Sequence, residues 1–140
     1  MFFLGRGIDY PVAMDGSLKL KEISYIHSEA YSAGDFKHGA IALIEQDVTV
    51  ISIITNEETH LKTLSNMQEV VARGAKTFVI TNQELGNANP DMLFSIPNIN
   101  PYLSPLLSVI PLQLYAYYIS KAKGLDVDKP RNLAKSVTVE

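Results

Sequence analysis

Short apolar runs of strand length alternate along this chain with segments of helical period, and that alternation leaves few folds open. Phe2-Phe3-Leu4 is an apolar run that stops in the turn Gly5-Arg6-Gly7, which reads as a buried strand ending at glycine. Val48 to Ile54 is β-branched and reads as a second strand, Lys76 to Thr81 as a third and Met92 to Ile96 as a fourth. Between them lie helical patterns. The first starts at Pro11, which suits a first helical turn, with Asp9 as its cap, and continues to about Ser32. The pair Thr55 and Glu58 has capping-box spacing and opens a second helix, which Gly74 closes. Asn100 and Pro101 start a long final helix that ends near Gly124 and bends locally at Pro111. Strands alternating with helices imply parallel strands joined by helical crossovers. The expected fold class is therefore α/β, a three-layer α/β/α sandwich with a mostly parallel, Rossmann-like sheet.

Size and charge exclude several function classes. The 140 residues, 46% of them hydrophobic, suffice for one domain with a real core. The formal charge of −3 and the lack of any basic run argue against a nucleic-acid partner. There is no cysteine, which removes disulfides, thiolate nucleophiles and cysteine metal sites, and fits a cytoplasmic location. Met1-Phe2-Phe3-Leu4 has no cationic flank and is too short for a signal peptide. Tyr102 to Ile119 is apolar, but two internal prolines, Ser104, Ser108 and Gln113 favour a buried amphipathic helix over a membrane span. A strand at residue 2, with no helix before it to cover one sheet face, points to a chain cut from a longer protein.

The first helical pattern carries the chemistry. One stripe holds Ala13, Gly16, Leu20, Ile23, His27 and Ala30 and is expected to face the sheet. The neighbouring stripe holds Val12, Asp15, Lys19, Glu22, Ile26 and Glu29, so Asp15, Lys19 and Glu22 share one face beside the core. A carboxylate next to an ammonium at such a border can be tuned for proton transfer. The same spacing also describes ordinary i,i+4 and i,i+3 surface pairs. His27, on the apolar stripe, is of a kind more often hydrogen-bonded in a core than catalytic, and His60 falls in a polar, solvated turn. Gly34-Asp35-Phe36-Lys37-His38-Gly39 is a glycine-bracketed loop with a histidine that titrates near neutrality; an ordinary polar loop has this composition too. The last eleven residues, from Pro130 to Glu140, have neither helical nor strand period and suit a lid over a site.

Leu4-Gly5-Arg6-Gly7, the run Leu18 to His27, the loop Gly34 to Gly39 and the stretch Asp126 to Glu140 together resemble the sugar isomerase (SIS) family. Within it they are most similar to the second SIS domain of the aminotransferases that make glucosamine 6-phosphate from fructose 6-phosphate and glutamine. The resemblance spans nearly the whole chain and implies a SIS-like domain over residues 1–125, truncated at its N-terminus, and a tail over 126–140 that closes the sugar site. It implies that Glu22 is the base that moves a proton between sugar carbons 1 and 2, and that Lys19 assists it. It further implies that His38 promotes ring opening across a dimer interface and that Lys135 forms a Schiff base with the sugar ketone, with Asp15 and Ala134 at the substrate. No cofactor is implied, neither pyridoxal phosphate nor a metal.

The same resemblance implies a homodimer whose remaining parts, a first SIS domain with the phosphate-binding loop and an ammonia-releasing glutaminase domain, lie outside this chain. Asp15 stands where the family usually carries glutamate, and Ala40 where a proline usually follows His38-Gly39. Two other functions share the fold: a phosphosugar-binding sensor and a sugar-amine deglycase. By the rule for open parallel sheets, ligands sit beyond the carboxyl ends of the strands. Glu22 and Lys19 are accordingly expected on that edge, near Gly5-Arg6-Gly7.

Overall fold

The computed structural model describes residues 1–133. The strands are β1 (Phe2–Gly5), β2 (Glu29–Ser32), β3 (Thr49–Ile54), β4 (Lys76–Thr81) and β5 (Met92–Ser95). The helices are α1 (Asp9–Ser24), α2 (Ala33–Phe36), α3 (His60–Val71) and α4 (Ser104–Ala122), with 3-10 turns at Ala40–Leu43 and Pro101–Leu103. All neighbouring strands pair in parallel, in the order β2-β1-β3-β4-β5. Strand order reverses between β1 and β3, so crossovers leave to opposite faces there and build the expected three-layer sandwich.

Each face has its own core. Phe3, Ile51, Ile53, Phe78 and Ile80 meet Val12, Ala13 and Leu20 of α1 and Leu112 and Ala116 of α4. On the other face Phe2, Leu4 and Val50 pack with Phe36 and Val70. Each buried Val, Leu, Ile or Phe among these contributes about 1.5–3 kcal/mol. Gly16 sets the approach of α1 to α4, since a Cβ there would sit 2.7 Å from Leu112 Cδ1 and 3.2 Å from Phe3 Cε1. Gly5 is equally constrained, because a Cβ would lie 2.4 Å from the Asp9 carbonyl oxygen.

Several local expectations are corrected. The first helix ends at Ser24, not Ser32, because Tyr25 adopts a left-handed conformation (φ 59°, ψ 20°) that turns the chain out of the helix. Residues Glu29–Ser32 instead form the edge strand β2, a four-residue run whose half-buried residues carry no clear alternation. Asp9 does not cap α1. It is the helix's first residue, and its buried carboxylate accepts from the Thr55 and Asn56 N–H groups (2.8 and 3.1 Å) and from the Thr55 hydroxyl. Thr55, so engaged, caps nothing, and α3 starts five residues later at His60. Gly74 does close α3: at φ 88° its N–H reaches Val71 O while Ala75 N–H reaches Val70 O, the two bonds of a Schellman motif. α4 continues through Pro111, and no helix among the described residues is long and apolar enough to cross a membrane.

Candidate active site

The register of β2 fixes where α1 ends. Glu29 pairs with Phe2, the first residue of β1, and Ser28, just before it, hydrogen-bonds to Ser17, hydroxyl to hydroxyl at 2.9 Å. Ser17 is thus level with the amino edge of the sheet. The last two turns of α1, with Lys19 and Glu22, therefore lie toward that edge. This corrects the expectation that both line the carboxyl edge beside Gly5-Arg6-Gly7. A helix that follows a parallel strand runs back along it, and α1, at sixteen residues, is longer than β1 needs.

On that end of α1 Lys19 Nζ donates to Glu22 Oε2 at 2.8 Å. The Glu22 carboxylate beside it holds the Lys19 ammonium above its ordinary pKa, and Asp15 adds to the effect through space. The three residues therefore share a face as their spacing requires. Both side chains are partly open to solvent, so a bound molecule can reach them. A carboxylate that keeps one oxygen on an ammonium and has the other available can take and return a proton; the ammonium, kept charged, can donate to an oxygen of the same molecule.

The end of α1 that carries this pair is tied to the end of α4. Lys123, one residue past α4, donates to Ser24 O at 2.5 Å, and the Ser24 hydroxyl donates to Leu20 O. α1 and α4 thus end together at the amino edge. Gly124 (φ 71°) then turns the chain off α4, and residues 125–133 cross to α1. There Arg131 N–H donates to the Tyr25 hydroxyl at 2.8 Å, and its guanidinium carbon lies 4.1 Å from the centre of the Tyr25 ring. Neither residue was singled out from spacing alone; the one signal was the lone arginine in an otherwise small, patternless tail. Ala134 and Lys135 lie outside the described residues.

His38 is not brought to Glu22. The loop follows β2 and α2 at the carboxyl edge, and His38 is exposed there, its N–H bonded to Asp35 O. Gly34 lies under the Arg6 guanidinium, where a Cβ would be 2.4 Å from Nη2, and Arg6 in turn donates to Asn66 Oδ1. His27 is neither in a helix nor in the core: its side chain is 82% exposed and pairs with Glu29 at 3.2 Å. His60 bonds to Glu57 O in the turn that starts α3. An apolar groove between β5 and α4, lined by Phe78, Met92, Phe94, Leu114 and Tyr118, is separate from the Lys19–Glu22 pair.

The model of the SIS domain family matches residues 1–120. Glutamine--fructose-6-phosphate aminotransferases [isomerizing] of Clostridium tetani and Clostridium perfringens are 62% and 60% identical over the whole chain, which spans 23% and 24% of their lengths. The solved C-terminal domain of glucosamine-fructose-6-phosphate aminotransferase from Francisella tularensis matches with a TM-score of 0.86 and 43% identity, over 91% of this chain and 37% of that one. Glucosamine-6-phosphate deaminase from Thermotoga maritima matches with a TM-score of 0.76 and 26% identity, over 97% of this chain and 39% of that one. Tagatose-6-phosphate ketose/aldose isomerase from Escherichia coli, 18% identical with a TM-score of 0.82, shares the fold.

Proposed function

The chain belongs to the SIS domain family, and from that premise we propose that it is the second sugar isomerase domain of an isomerising glutamine:fructose-6-phosphate aminotransferase, acting within a polypeptide about four times its length. The substrates of that polypeptide are fructose 6-phosphate and glutamine, and the product is glucosamine 6-phosphate. In this reading the Lys135 amine adds to the ketone carbon of the open sugar and water leaves, giving an iminium; ammonia then adds to that carbon and the Lys135 amine leaves, giving an imine of the sugar that acidifies the neighbouring carbon. Glu22 takes a proton from carbon 1 and returns it to carbon 2, while the Lys19 ammonium steadies the oxygen on carbon 1. Asp15 and Ala134 contact the sugar. The phosphate anchor comes from the first SIS domain and ammonia from the glutaminase domain.

One observation carries the reading: the Lys19–Glu22 pair sits on the same end of α1 to which the C-terminal segment is tied at Arg131. Lys135 is four positions beyond Arg131 in the sequence, a reach of at most about 14 Å, and Tyr25 stands one helical turn from Glu22. His38 belongs at the opposite edge of its own sheet, which favours a homodimer in which each chain lends its histidine to the other's site. The apolar surface left by Met92, Leu93 and Phe94 on β5 and by Leu114 and Tyr118 on α4 also favours a larger assembly. A deaminase running a related reaction in reverse is the second reading, favoured by the 26% identical neighbour. The chain's identity to the aminotransferases is more than twice as high.

The test is glucosamine 6-phosphate formation by the parent polypeptide. Glu22→Gln and Lys135→Ala are each expected to abolish it, and residues 1–140 alone are expected to form little or none, having no phosphate anchor. Product from either variant at the parental rate sinks the assignment.

A further inference from the structure

Arg6 stands in the turn after β1, half-buried, and pairs with no carboxylate among the described residues. A guanidinium drawn out of water without a counter-ion is unfavourable, so the contacts that hold it there call for a reason. Two of its donors, Nε and Nη2, converge on one acceptor, Asn66 Oδ1 of α3, at 3.3 and 3.0 Å, and Asn66 is itself buried. The guanidinium also lies against Gly34 of α2, where a Cβ would be 2.9 Å from Cζ and 3.0 Å from Nη1. The Arg6 backbone is fixed as well, since its carbonyl oxygen accepts from Asp9 N–H at 3.1 Å. One side chain thus ties the turn before α1 to both α3 and α2. What it braces is the segment Gly34–Gly39. Phe36 anchors that segment from below, buried and edge-on to Phe2 (5.2 Å) and Tyr31 (5.4 Å). Two residues past that anchor, His38 stands exposed, its N–H bonded to Asp35 O at 3.0 Å.

We infer that Arg6 is a positioning residue: held by Asn66 and laid over Gly34, it braces the segment Gly34–Gly39 and so fixes where His38 is presented at the carboxyl edge. The brace rests on contacts within this chain; its consequence for the reaction, through ring opening by His38, rests on the proposed function. Arg6 touches no reacting atom in this scheme and acts through the segment it covers. The role needs the shape of the guanidinium, a fork around one oxygen and a plane against a bare backbone, and a lysine supplies neither. It also accounts for Gly34, where any side chain would meet the guanidinium.

Two substitutions disturb the brace from opposite sides. Arg6→Lys keeps the charge and loses fork and plane. Gly34→Ala leaves Arg6 in place but sets a methyl group where the guanidinium lies; Gly34 is not among the glycines with positive φ, so alanine adds no backbone strain of its own. Gly34→Ala carries the test by itself if Arg6→Lys does not fold. Made in the parent polypeptide, each is read in two ways. The first is hydrogen exchange of the His38 amide, expected to speed up about tenfold in both variants. The second is a double-mutant cycle in kcat with His38→Ala. Either brace variant is expected to lower kcat about tenfold and His38→Ala about a hundredfold, and the double variant is expected to be no slower than His38→Ala alone. A merely structural role for Arg6 would make the two losses multiply, and that result overturns the inferred role. Exchange at His38 unchanged in both variants overturns the brace itself. Faster exchange in the brace variants together with a wild-type kcat for His38→Ala upholds the brace and overturns the role of His38 in the proposed function instead.

Discussion

Lys19 and Glu22 form an ion pair of 2.8 Å on the last two turns of α1, toward the amino edge of the sheet, with 39% and 27% of their side chains open to solvent. A pair so exposed and one helical turn apart adds little to stability, at most about 0.5 kcal/mol. Its position at the end of α1, beside the docked C-terminal segment, is what gives it a role.

Stability and activity should therefore separate at Lys19. Lys19→Met in the parent polypeptide is expected to leave the melting temperature within a degree or two and to lower kcat by about a hundredfold or more, as for loss of a proton-transfer partner. Thermal unfolding and steady-state kinetics on one preparation check both. Equal small effects on both would make the pair ordinary surface charge.

Asp9 is the reverse case, stabilising and remote from Glu22. Its carboxylate ties the start of α1 to the end of β3, and Thr55 passes the connection to Ser104 at the start of α4 through a 3.1 Å hydroxyl contact. Asp9→Ala leaves the Thr55 and Asn56 N–H groups without their acceptor and is expected to cost about 3 kcal/mol by denaturant unfolding. Burial pushes the Asp9 carboxyl above its ordinary 3.8, against the pull of those donors. The folded state thus favours the protonated form. That contribution is complete below pH 3.8 and is lost as pH rises through the folded value. Asp9→Asn, neutral throughout, is expected to remove this component of the pH–stability curve.

Glu29 titrates in the opposite sense. The Tyr31 hydroxyl, and then His27, hold its carboxyl below its ordinary 4.5. Its contribution is present above pH 4.5 and is lost as pH falls through the folded value. Tyr31→Phe removes the leading cause, so acid unfolding of this variant is expected to begin at a slightly higher pH than in the wild type, followed by circular dichroism.

Gly5→Ala tests the turn before α1. The added Cβ meets backbone, 2.4 Å from Asp9 O and 2.8 Å from Tyr10 N, and no side chain can yield to relieve it. A loss of about 3 kcal/mol, the upper end of overpacking costs, is expected. A variant as stable as wild type would mean that α1 starts differently.

The strands β1, β3 and β4 were legible because each is a continuous β-branched or aromatic run buried on both faces, and Gly74 was legible because a helix end needs its left-handed backbone. β2 was not. Its four residues extend a helical period already running through α1, and what stops the helix is the left-handed Tyr25, a tyrosine where the usual stop signal is glycine. The Asp15, Lys19 and Glu22 face followed from helical spacing. The edge it occupies did not, because it depends on how α1 runs against β2, a register set by Ser17 and Ser28. The general rule for open parallel sheets pointed to the carboxyl edge, and here the candidate residues stand at the other end.

Borohydride trapping on the parent polypeptide with fructose 6-phosphate, followed by peptide mapping, addresses the central claim most directly. A reduced sugar adduct on Lys135, present in the wild type and in Glu22→Gln but absent in Lys135→Ala, is the predicted result. No adduct in the wild type, or one on a different lysine, contradicts the account.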